Sequence, residues 1–204
     1  MGVITMISMI PFGPAVWDRM VSAVEKVRER LYRATGVLEV AKIPYAIIGG
    51  NAVAAWVARV DPAAVRNTQD VSVLLRRSDL PQAIAAMEAA GFVYRHVASI
   101  DMFLDGPNTK ARDAVHIVAA GENVRTESLL PAATIDECES SPDGRYRHVT
   151  LDALVRMKLT AFRDKDRTHI RDLIGVGLVD ETWLTRVHPL LKDRLKQILD
   201  DPEG

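Results

Sequence analysis

Apolar residues recur at three-to-four-residue spacing from Ala15 to Ala34, at Val16, Met20, Val24, Val27 and Leu31. This spacing predicts a helix, with Gly36 standing where a C-cap belongs. Tyr45-Ala46-Ile47-Ile48 is a continuous apolar run stopped by Gly49-Gly50, the pattern of a buried strand entering a tight turn. An alanine-rich segment, Ala52 to Val60, follows as a short helix. Val71 to Leu75 reads as the next strand. Ser78 is placed as the N-cap of a helix from Leu80 to about Ala90, closed by Gly91.

Phe92–Val97, Met102–Leu104 and Ala114–Ala119 are three further short strands, with a turn at Gly106-Pro107-Asn108. Pro131 to Gly144 mixes Pro, Ser, Asp and Gly and predicts a loop or linker. Beyond it, Leu151–Phe162, Ile170–Leu178 and Val187–Leu199 carry helical stripes. The order predicts a mixed-sheet α/β (α+β) fold with an N-terminal helix and a helical C-terminal region. It divides into a tail and helix over 1–36, an α/β core over 37–130 and a helical region over 145–204.

Composition excludes more than it assigns. With 26 Lys and Arg against 27 Asp and Glu, the 204-residue chain has no global basic field to mark a nucleic-acid partner. Its single cysteine, Cys138, permits no intrachain disulfide, and a reducing, cytoplasmic setting is expected. The apolar start, Met1 to Phe12, has no preceding Lys or Arg and is too short to span a bilayer. It is expected to pack on the core, or to be an upstream start-codon artefact.

The chemistry concentrates in one stretch. Gly49-Gly50-Asn51 opens a helix; Arg66-Asn67-Thr68-Gln69-Asp70 leads into the strand Val71–Leu75. Two glycines let a backbone approach a phosphate chain closely, and a helix N-terminus offers it unpaired N–H groups. Asn51 can add a side-chain amide. Position 72 points the same way as Asp70, because strand residues two apart share a face. A carboxylate pair so placed can hold divalent ions roughly 3.5–4 Å apart, the spacing used for in-line phosphoryl chemistry. Here position 72 is Ser72.

These motifs, with distal Lys158, Arg163, Asp166 and Asp172, resemble the DNA polymerase beta-like nucleotidyltransferase superfamily, in particular its AbiEii-type and minimal nucleotidyltransferase branch. The resemblance spans about residues 40 to 180. It implies a nucleoside triphosphate as substrate, with Gly49, Gly50, Asn51, Arg66, Thr68 and Lys158 as its contacts. It implies a magnesium or manganese site at Asp70, with Ser72 and Asp113 as further ligands, and Asp70, Ser72 and His116 as the catalytic set. The sequence departs from the family pattern twice: its second acid falls on Ser72, and the strand expected to hold a third carries His116 with Asp113 just before it.

Each residue also has a plainer reading. His116 is either a metal ligand or general base, or a hydrogen-bonded strand histidine, and the second is favoured. Lys158 is a phosphate contact or a solvated helix residue. The run Arg163 to Arg167 is expected to be a solvated helix end or an inter-helix turn, and Arg171 and Asp172 to pair across helices. Trp56 and Trp183 read as core or interface anchors. The remaining histidines (His96, His148, His169, His188) lack metal-site spacing. Cys138, in an acidic loop, is not expected to be a reactive thiolate.

Two functions remain. One is metal-dependent nucleotidyl transfer to a hydroxyl of a small molecule, RNA or protein. The other is an inactive nucleotidyltransferase fold that binds a nucleotide or a protein partner. The family branch further implies a toxin–antitoxin or phage-defence pair. No membrane partner is expected.

Overall fold

The computed structural model describes residues 14–107 and 109–201. The apolar tail Met1–Phe12 and Asn108 of the expected turn lie outside the described residues. Within them the chain forms α1 (Pro14–Val40), β1 (Tyr45–Ile48), α2 (Gly49–Val57), β2 (Val71–Leu75), α3 (Leu80–Ala89), β3 (Val93–Val97), β4 (Ile100–Leu104) and β5 (Val115–Ala119). Then come β6 (Cys138–Ser140), β7 (Arg147–Val149), α4 (Leu151–Ala161), α5 (Asp164–Gly175) and α6 (Lys192–Asp200). The strands make one mixed sheet in the order β3-β4-β5-β2-β1-β7-β6. This is the mixed α/β architecture that the hydrophobic pattern predicts. No helix among the described residues is long and apolar enough to cross a membrane.

The sheet separates two apolar layers. Tyr45, Ile47, Val71, Val73, Phe103 and Val115 face α1 and α3, meeting Leu31, Leu38, Ala83 and Met87. Ala46, Ile48 and Leu74 face α2 and the C-terminal helices, meeting Val53, Leu154, Leu159, Ile170 and Leu173. Covered on both faces, β1 and β2 are nearly all apolar, which is why their continuous runs betray them. Trp56 and Trp183 pack on the second layer, as expected of anchors, and the Trp56 indole N–H donates to the Val149 carbonyl at 3.1 Å.

Several boundaries differ from the sequence expectation for physical reasons. α1 runs straight through Gly36, because Leu38 beyond it is buried in the first layer. The helix ends instead at Val40 and is closed by Lys42, in the left-handed region at φ 55°, with Lys42 N–H on Glu39 O and Ile43 N–H on Leu38 O. α2 starts at Gly49 rather than Ala52. Ser78 lies in a short 3-10 turn, Arg77–Asp79, and the α3 cap position passes to Asp79. The stretch Pro131–Gly144 is not all loop: it contains β6, and β7 follows it. α5 begins at Asp164, six residues ahead of its expected start, and α6 is preceded by a 3-10 turn at Pro189–Leu191.

Candidate functional site

β1, β2 and β5 lie side by side at the centre of the sheet, and their register builds the floor of a cleft. Ile48 pairs with Ser72, and Ser72 pairs with His116. Paired residues point to the same face, so Ser72 and His116 stand together on the side of the C-terminal helices. Above them is a cleft of about 1150 Å³ whose lining includes Gly49, Gly50, Asp70, Ser72, His116 and Lys158. That volume is ample for a nucleotide-sized ligand. The structure thus brings Asp70, Ser72 and His116 into one space, while the lining does not include Asp113, which closes a 3-10 turn just ahead of β5.

Asp70 is held from two sides, and Gln69 just before it from a third. Thr68 Oγ1 donates to its Oδ1 at 3.0 Å, and the Asn51 amide donates to its main-chain carbonyl at 2.9 Å. From the opposite layer, buried Arg30 of α1 bonds Asp105 at 3.2 Å and extends to the Gln69 carbonyl at 3.5 Å. No salt bridge engages Asp70 among the described residues, so its second carboxylate oxygen is not tied to a cation. Asn51 is therefore a strut between α2 and the entry to β2.

The glycines have a tighter local role than the sequence implied. Gly49 has φ 71°, a conformation that disfavours side chains, and a Cβ there would sit 3.2 Å from Ser72 Oγ. A Cβ at Gly50 would lie 2.7 Å from Thr68 Oγ1. The close approach that Gly50 permits is thus made by Thr68, and the Thr68 hydroxyl passes the contact on to Asp70. What stays open is the N-terminus of α2, which has no side-chain cap and gives Gly49 and Gly50 to the cleft lining.

The opposite wall is ionic. The run from Arg163, expected to be solvated, contains Asp166, whose side chain is 1% exposed. Asp166 receives Lys158 Nζ at 3.0 Å and Arg163 Nε at 2.7 Å. Burial works to raise the Asp166 pKa, and the bonds from Arg163 and Lys158 outweigh it and hold the carboxyl below its ordinary value. Burial lowers the Lys158 pKa, with Asp166 acting against that fall. Lys158 is not a solvated residue: it lines the cleft from a buried position, with its ammonium on Asp166. His169, one turn along α5, is pushed down to about 4, first by burial and then by Lys158, so its ring is neutral near pH 7.

Arg66 lies on this side too. Its guanidinium donates to both oxygens of Asp172 at 2.9–3.2 Å. Asp172 thus pairs across elements, as expected, while Arg171 donates to the Asp201 carbonyl at 3.3 Å. Sequence reasoning missed His169 as a cleft residue, and only the approach of α5 to the sheet reveals it. His148 likewise proves fully buried, accepting from Arg59 at 3.0 Å through Nε2.

A two-ion phosphoryl-transfer centre needs carboxylates that share cations between them. The floor supplies one carboxylate, one hydroxyl and one imidazole. Among the described residues no three His, Cys, Asp or Glu side chains gather as a metal-holding group. The donor set does not fit a two-ion centre.

No family model and no curated protein matches the chain. Solved structures do match it in shape. An antigenic nucleotidyltransferase-like protein from Paracoccidioides brasiliensis superposes with a TM-score of 0.57 at 16% identity, over 89% of this chain and 91% of that one. The antibiotic-resistance factor ANT(2'')-Ia, whose solution structure shows substrate-regulated conformation dynamics, gives 0.51 at 12% identity, over 88% and 92%. An H. pylori protein described as a candidate nucleotidyltransferase gives 0.50 at 12%, over 88% and 78%. At these identities the likeness is one of architecture, and the chain has a nucleotidyltransferase-like fold.

Proposed function

We propose that this protein binds the phosphate chain of a nucleoside triphosphate in the cleft, as a binding module that lacks two-ion nucleotidyl transfer. The observation that carries the reading is the floor itself: Ser72 stands beside His116 where a second carboxylate would be required, while Asp70 and the uncapped start of α2 remain in the same cleft. Uncapped helix amides and cleft cations suit phosphate oxygens. The loss of one negative charge weakens both cation affinity and the stabilisation of developing charge.

A second reading is slow nucleotidyl transfer with one magnesium or manganese ion at Asp70. It is favoured by the carboxylate having no salt bridge and sharing the cleft with the Ser72 hydroxyl. The acceptor would be a hydroxyl of a small molecule, RNA or protein. A partner protein, as in a toxin–antitoxin or phage-defence pair, would belong to the binding-module reading.

Calorimetric titration with nucleoside triphosphates, with and without magnesium, tests both. Wild type is expected to bind, and Asp70→Ala to lose the magnesium-dependent part of the signal. Identical isotherms for the two proteins, or none at all, would overturn the assignment of the site. Ser72→Asp separates the readings: the binding module gains turnover from it, whereas a wild type already turning over at full rate rules the binding module out.

A further inference from the structure

The Arg66–Asp172 pair joins the cleft-lining loop ahead of β2 to α5, 106 residues away in sequence. Arg66 belongs to the loop between α2 and β2, four residues ahead of Asp70; Asp172 belongs to α5, on the helical wall. The two partners are unequal. The Asp172 side chain is 10% exposed and the Arg66 side chain 62%. The carboxylate is seated in the wall, and the arginine reaches to it from solvent. The bond is therefore a strap from the wall to the segment that presents Asp70.

The neighbouring cations on this wall are held differently. Lys158 is buried against Asp166, and Arg163 closes on the same carboxylate from within its own helix turn. Arg66, like Arg77 on Glu122, is a cleft-lining cation whose guanidinium is both solvent-reached and bound bidentately to a distant carboxylate, and it is Arg66 that lies four residues ahead of Asp70. The guanidinium fork matches the paired oxygens of a carboxylate and of a phosphate equally in geometry. A change of partner requires no covalent step and no proton transfer.

We propose that Arg66 and Asp172 form a latch that a polyphosphate opens: the guanidinium exchanges the Asp172 carboxylate for phosphate oxygens, and the loop carrying Thr68 and Asp70 is released from α5 as it does so. Asp172 competes with the ligand for the same donors and sets the affinity of the cleft. The ligand's identity rests on the nucleotide reading above; the strap between loop and wall does not.

The test uses inorganic tripolyphosphate, which has no base or acceptor to complicate the binding, with wild type, Asp172→Asn, Arg66→Ala and the double variant. Freeing Arg66 is expected to tighten binding about two- to fivefold in Asp172→Asn, the range an exposed ion pair can contribute. Removing Arg66 is expected to abolish that gain. Persistence of the gain in the double variant would mean that only the local charge matters, and would overturn the latch. So would equal affinities for wild type and Asp172→Asn. Binding to none of the four proteins would overturn the nucleotide reading and the latch together. Amide hydrogen exchange without ligand reads the strap alone. Residues 65–70 should exchange faster in Arg66→Ala than in wild type, and equal rates would show that nothing is strapped.

Discussion

The side-chain amide of Asn51 donates to the main-chain carbonyl of Asp70 at 2.9 Å, tying the first turn of α2 to the residue that enters β2. With Thr68 on the Asp70 carboxylate, the residue is fixed at both its backbone and its side chain. Replacing Asn51 by Ala should cost about 1 kcal/mol, the usual net contribution of one such bond. Asn51→Asp should cost more, since a carboxylate would face a carbonyl with no proton to share. Urea titration of the three proteins gives the ranking, and a neutral Asn51→Asp would refute it.

Gly50 is a packing requirement before it is anything else. A Cβ at this position meets Thr68 Oγ1 at 2.7 Å and Thr68 Cβ at 2.8 Å, so Thr68 must shift and the Asp70 bond with it. Gly50→Ala is expected to destabilise by about 1–3 kcal/mol, as overpacking does. Thr68→Gly in the same chain should restore part of that loss, because every clashing atom belongs to the Thr68 side chain. Thermal melts of the single and double variants decide it, and a double variant no better than the single would place the strain elsewhere.

The buried ion cluster should respond asymmetrically. Asp166→Asn leaves Lys158 buried and facing Arg163 with no anion between them, a loss expected to reach about 3–5 kcal/mol. Lys158→Met leaves Asp166 with its bonds from Arg163 and should cost distinctly less. Denaturant midpoints compare the two directly; equal losses would mean that Arg163 does not compensate.

Histidine in an unfolded chain titrates near 6.5. In the fold His169 is held down to about 4 by burial and by Lys158 and Lys165, with Asp166 and Asp172 pulling the other way. The folded state therefore prefers the neutral ring. Its contribution is complete above pH 6.5 and is lost as pH falls towards 4, where the unfolded chain takes up a proton that the folded chain refuses. Wild type should lose more stability between pH 7 and pH 4.5 than His169→Gln. Parallel pH profiles for the two proteins would sink the assignment.

What could be read from the chain follows the range of the forces involved. β1 and β2 were legible to the residue, since strands covered on both faces are continuous apolar runs. The shared face of Asp70 and Ser72 followed from strand periodicity alone. β6 and β7 were not legible. Cys-Glu-Ser and Arg-His-Val are too short to show alternation, and only pairing with each other and with β1 makes them strands. Gly36 misled because burial of Leu38 outweighs the helix-stopping tendency of one glycine. The partners of Arg66 and Lys158 were hidden for a related reason. Each depends on how α5 comes to rest against the rest of the molecule, which no local pattern encodes.

Parallel pairing of β7 with β1, at Ile47 and His148, has a consequence for any attempt to shorten the protein. A chain ended after β5 would still carry the floor of the cleft, but β1 would become a border strand. Its amides and carbonyls, flanked by Ile47 and Ile48, would then be bare to any passing strand. Such a fragment is a template for aggregation rather than a smaller working unit. The last third of the chain thus shields the middle of the sheet as well as walling the cleft.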